Sequence, residues 1–86
     1  MRETSPSVIR KRVEEIWKDV LDVSPDEMDA TFSELGGRGM SALRIVARIE
    51  SELGIEVDPA ALFDHPHLPT FVHHVITKAQ NPPKPH

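Results

Sequence analysis

The sequence predicts an all-α fold, a four-helix bundle with three longer helices, one short third helix and a long loop between the first two. Three observations predict it. Segments 9–20 and 40–53 repeat apolar residues at the helical period. Proline, serine and glycine stand where helices start and stop. No stretch alternates polar and apolar residues as a half-buried strand does. With 86 residues the chain builds one small domain, of a size that buries roughly 60–65% of the surface its unfolded chain exposes. Residues 1–80 are assigned to that domain, and 81–86, with three prolines and no apolar anchor, to a disordered tail.

Ser5-Pro6 opens the first helix: a hydroxyl able to cap, then a proline whose fixed φ suits the first helical position. The helix is expected over Pro6 to Leu21, with Ile9, Val13, Ile16, Trp17 and Val20 on one buried stripe. Trp17 reads as core rather than as a ligand-stacking residue. Asp22 to Asp29 is polar, carries turn chemistry at Ser24-Pro25-Asp26, and leads into a long connection that reaches Gly37. Phe32 and Leu35 are its expected anchors, through a single helical turn at Thr31 to Leu35. Gly36-Gly37 permits positive φ and a close approach to a neighbour.

From Met40 to Leu53 the pattern is helical with two apolar stripes. At ~100° per residue, Ala42, Ile45, Val46, Ile49 and Leu53 share one side and read as core. Met40, Leu43 and Ala47 gather on a narrower strip, either extra core or, as we favour, an exposed contact surface. Gly54 ends this helix. A short extended link at Ile55-Glu-Val57 follows, then a brief third helix from Asp58-Pro59 through Phe63, stopped by His65-Pro66. The fourth opens at Leu68-Pro69-Thr70, buries Phe71, Val72, Val75 and Ile76, and ends near Ala79.

Composition excludes several function classes. The formal charge of −4 disfavours nucleic-acid binding, which draws on clustered cations. The one basic run, Arg10-Lys11-Arg12, reads as a solvated helix face paired with Glu14, Glu15 and Asp19. No apolar run approaches the ~20 residues of a membrane span. Cysteine is absent, so there is neither a disulfide framework nor a thiolate metal site, and cytoplasm is the expected compartment. His65, His67, His73 and His74 supply imidazoles, but neither local spacing sets two rings on one helical face, and no metal site is expected. A catalytic triad lacks both a nucleophile elbow and room for a water-excluding pocket, so no catalytic residue is assigned. Leu35-Gly-Gly-Arg-Gly-Met40 has no phosphate-loop spacing. It feeds a helix N-terminus, where backbone N–H groups favour an anion.

Four blocks, Phe32-Ser-Glu-Leu-Gly-Gly37, Met40-Ser-Ala-Leu-Arg-Ile-Val-Ala-Arg-Ile49, Leu53-Gly-Ile-Glu-Val57 and Leu62-Phe-Asp-His-Pro66, resemble in order and spacing the acyl and peptidyl carrier proteins, the thiolation domains of polyketide and nonribosomal-peptide synthesis. The resemblance covers roughly Val8 to Ile76 and implies the same four-helix fold. It also implies a phosphopantetheine arm, esterified from coenzyme A onto the serine of a Leu-Gly-Gly-(Asp or His)-Ser-Leu motif. Aligned on that motif, Arg38 stands where the family has Asp or His, and Gly39 where it has serine. The resemblance therefore implies a carrier-like domain with its attachment oxygen absent and no phosphopantetheine expected. Glycine is expected to serve there as N-cap. Ser41, the nearest hydroxyl, is turned by ~200° from position 39 and reads as an ordinary polar-face residue.

The leading reading is a monomeric, non-enzymatic interaction module that meets assembly-line enzymes (synthase, condensation, adenylation or tailoring domains) through Arg38, Gly39, Met40, Leu43 and Ala47. A second reading is an ordinary carrier seen as a serine-less variant. A third is a small His-rich metal-binding protein.

Overall fold

The computed structural model describes residues 5–27 and 29–80, and places α1 at Pro6–Leu21, a 3-10 turn at Pro25–Glu27, α2 at Gly39–Leu53, α3 at Ala61–Asp64 and α4 at Leu68–Gln80. The expected tail at 81–86 lies outside the described residues. α1 packs along both α2 and α4, and α3 lies against α4.

Local chemistry sets the boundaries. Ser5, in extended backbone, accepts the Val8 N–H on its Oγ at 3.4 Å, and Pro6 takes the first helical position. α1 stops at Asp22, whose φ of 53° is a left-handed conformation that aspartate tolerates better than most side chains. α2 stops at Gly54, with φ 70° and its N–H on the Glu50 carbonyl at 2.8 Å, the glycine end that the sequence signals.

The stripes bury as their period dictates. Ile9, Val13, Ile16 and Trp17 of α1 meet Ala42, Ile45, Val46 and Ile49 of α2 and Leu68, Phe71, Val72 and Val75 of α4 in one core. Val20, Leu53 and Ile76, expected in that core, pack at its edge and are only partly buried. Trp17 sits between Phe32 and Phe71, each ring centroid 6.0 Å away. Its indole N–H is buried with no partner among the described residues, a deficit of about 1–3 kcal/mol set against a side chain with no exposed surface. Ion pairs bind α1 to α2 on the surface: Arg48 bridges Asp19 and Glu52, and Arg12 reaches Glu15 at 3.3 Å and Glu52 at 3.7 Å. The basic run is thus a solvated face, although Arg12 pairs across helices as well as along its own.

Two boundaries differ from expectation. α2 begins one residue early: Arg38 is its N-cap, with φ −138° and ψ −179°, and Gly39 is its first helical residue. α3 begins late, because Asp58 spends its capping capacity on a turn. Its Oδ1 accepts the Ala60 N–H at 2.9 Å and its carbonyl the Ala61 N–H at 2.9 Å, so helical geometry starts only at Ala61.

Candidate functional site: the loop and the N-terminus of the second helix

The site is built from a loop with little freedom and a helix end with few constraints. Thr31 and Glu34 form a reciprocal cap: the Thr31 N–H donates to Glu34 Oε1 at 2.8 Å, and the Glu34 N–H to Thr31 Oγ1 at 3.1 Å. The turn between them closes through Leu35 N–H to Thr31 O at 3.0 Å. The sequence carries this signal as Thr-x-x-Glu. Phe32 is wholly buried, and its N–H donates to the Pro66 carbonyl at 2.8 Å, tying the loop to the connection between α3 and α4. Its ring meets Phe63 edge-on at 5.3 Å.

Gly37 lies over that ring. A Cβ there would sit 2.6 Å from three Phe32 ring carbons, so no larger residue fits unless the ring moves. Gly36, with φ 79°, turns the chain, and the Gly37 N–H returns to the Phe32 carbonyl at 2.8 Å. The close approach expected of this glycine pair is thus a contact with the domain's own core.

Two residues on, the constraints end. A Cβ on Gly39 would meet nothing within 4 Å, and its φ is not positive. Arg38, the N-cap, makes no side-chain capping bond and is exposed. Its cation stands where the helix dipole prefers an anion by roughly 0.3–1 kcal/mol. Among the described residues neither Arg38 nor Arg44 enters a salt bridge. Met40 is 67% and Leu43 52% exposed, and Ala47 is exposed beside them. Arg38, Gly39, Met40, Leu43 and Ala47 are thus each exposed, on the N-terminal half of α2 and its cap. Ser41 is half-buried on the flank. Phe63, 51% exposed, adds an aromatic edge through its contact with Phe32.

The histidines arrange themselves differently from their local spacing. His65, just past α3, stacks on His74 of α4 with centroids 4.8 Å apart and planes at 27°. Burial first, then the nearby His65 and Lys78, holds the His74 imidazole below its ordinary 6.5, with Asp64 opposing. Among the described residues no group of three or more histidine and carboxylate ligands converges. No helix there is long and apolar enough to cross a membrane.

A family model described as a phosphopantetheine attachment site matches residues 11–75. The chain belongs to that family of carrier domains. Its relatives are large synthetases: it is 35% identical over 60 residues to phosphinothricin tripeptide synthetase PhsC of Streptomyces viridochromogenes, a match covering 70% of this chain and 6% of that protein. Against surfactin synthase subunit 1 of Bacillus subtilis the identity is 38% over 56 residues, covering 65% of this chain and 2% of the relative. The chain thus spans only a small part of these curated relatives. A solved structure of BlmI, described as a type-II acyl-carrier-protein from Streptomyces verticillus involved in bleomycin biosynthesis, superposes with a TM-score of 0.70 at 23% identity, over 86% of this chain and 89% of that one. That likeness shows the fold. Domains of this family carry intermediates for catalytic partners rather than catalyse reactions themselves.

Proposed function

We propose that this carrier domain of a polyketide or nonribosomal-peptide pathway has lost its attachment serine at Gly39 and acts as a non-covalent interaction module. The observation that supports the reading is a well-packed loop leading into a helix whose first residue is a glycine. The Thr31–Gly37 loop is capped, packed and tied to Pro66, while position 39 at the start of α2 is a glycine. A phosphodiester to the arm needs a side-chain oxygen, and glycine has none. Ser41 does not substitute, because it is half-buried and turned ~200° around the helix from position 39. No phosphopantetheine is held. The module meets synthase, condensation, adenylation or tailoring domains through Arg38, Gly39, Met40, Leu43 and Ala47, as a monomer. Residues 1–80 form the module.

Mass spectrometry after incubation with a promiscuous phosphopantetheinyl transferase and coenzyme A tests this. The expected spectrum is unmodified protein, and stoichiometric addition of an arm contradicts the reading.

A second reading is favoured by the open space around Gly39, which would admit a serine without displacing a neighbour. It takes the chain as an ordinary carrier seen as a serine-less variant. Arg38 counts against it, since a single deliberate change would leave the family's Asp or His at that position.

A further inference from the structure

Charge is distributed unevenly around the proposed interaction surface. Residues 31–48 hold three arginines and one glutamate, leaving seven basic and thirteen acidic residues to the rest of a chain whose net charge is −4. Of the three, Arg48 is engaged by Asp19 and Glu52. Arg38 and Arg44 are exposed and enter no salt bridge among the described residues. At ~100° per residue Leu43, Ala47, Met40 and Arg44 fall, in that order, within one arc of ~100°, opposite the buried Ala42, Ile45 and Ile49. Arg38 precedes the helix as its N-cap. The surface is therefore an apolar strip with Arg44 along its side and Arg38 ahead of it, and no carboxylate among the described residues forms a salt bridge with either.

Resting on the interaction-module reading, we propose that this end of α2 docks an acidic amphipathic segment of a partner protein, an apolar side chain seated on Met40 and Leu43 and carboxylates against Arg38 and Arg44. Two physical terms favour a carboxylate there. The guanidinium groups attract it, and the exposed helix N-terminus, which Arg38 disfavours while unpaired, attracts it too. Apolar seating is supplied by Met40 and Leu43, the two most exposed large hydrophobic side chains described. Orientation follows as well: Glu50 lies further along the same helix, exposed, so a partner's anionic end is repelled there and held at Arg38 and Arg44.

Two synthetic amphipathic helical peptides with the same leucine face, one flanked by glutamates and one by lysines, test the proposal in titrations of the 15N-labelled full chain. The glutamate peptide is expected to shift the amides of residues 38–47 and to bind at least about tenfold more tightly than the lysine peptide at low salt, the margin closing as salt screens it. The double variant Arg38→Glu/Arg44→Glu is expected to invert the preference while keeping the helical circular dichroism and Trp17 fluorescence of the parent. Equal binding, a preference for the lysine peptide, or no shift at 38–47 with either peptide overturns the proposal. Arm addition in the mass-spectrometric assay would instead overturn the non-covalent reading, whatever the peptides do.

Discussion

Gly37 and Gly39 stand two residues apart and are glycine for opposite reasons. At Gly37 a Cβ would run into the Phe32 ring at 2.6 Å, so packing demands the absence of a side chain. At Gly39 an added Cβ would meet no other part of the described fold within 4 Å and the backbone is ordinary helix, so packing makes no demand there. Packing constrains the chain at position 37 and leaves position 39 unobstructed. On the proposed reading, in which Gly39 stands at the attachment position, the fold and the attachment atom then depend on different residues.

The largest expected effect breaks the constrained side of this contrast. Phe32→Ala removes the ring that Trp17, Phe63 and Gly37 all touch, and is expected to destabilise the domain by about 3–5 kcal/mol, measured by urea unfolding followed through the fluorescence of Trp17. Gly37→Ala forces its new methyl into the same ring and should cost about 1–3 kcal/mol. Against it, Gly39→Ala should leave stability unchanged or raise it by up to about 1 kcal/mol, since it replaces glycine within a helix at an unobstructed site. Equal losses at the two positions would erase the distinction between them.

A pH effect is expected away from the glycines, at the His65–His74 stack. His74 is held below its ordinary value in the folded protein, first by burial and then by His65 and Lys78. The unfolded chain therefore takes up a proton as pH falls through about 6.5, while the folded chain resists. Stability from this source is full above that pH, declines below it, and levels off once the folded-state imidazole also titrates. Thermal unfolding should show a lower Tm at pH 5 than at pH 7, with the difference reduced in His74→Gln. The smallest effect is expected at Arg48→Met: its pairs with Asp19 and Glu52 lie on the surface, and removing them should cost less than about 1 kcal/mol, less still in high salt.

Much of this was legible in the residues. Ser5-Pro6 marked the start of α1, Gly54 the end of α2, and the helical period separated Ala42, Ile45, Val46 and Ile49 from Met40, Leu43 and Ala47, as burial now shows. What was not legible involved contacts between segments or a cap without a cap's chemistry. Arg38 occupies the N-cap on backbone geometry alone, with no side-chain bond to announce it. Asp58 looked like a helix cap and is a turn residue, because the same oxygen can serve either. The His65–His74 stack joins residues from two elements, so no local spacing predicts it. Gly37's dependence on Phe32 is of the same kind, since the glycine signalled a close approach without naming the neighbour.

Mass spectrometry on Gly39→Ser beside the unaltered chain, both treated with phosphopantetheinyl transferase and coenzyme A, tests most directly the proposal that the junction lacks only its oxygen. One arm is expected on the serine variant and none on the parent. An arm on the parent, or none on a folded Gly39→Ser, would contradict it, the first by revealing another nucleophile and the second by showing that Arg38 or the loop has diverged as well.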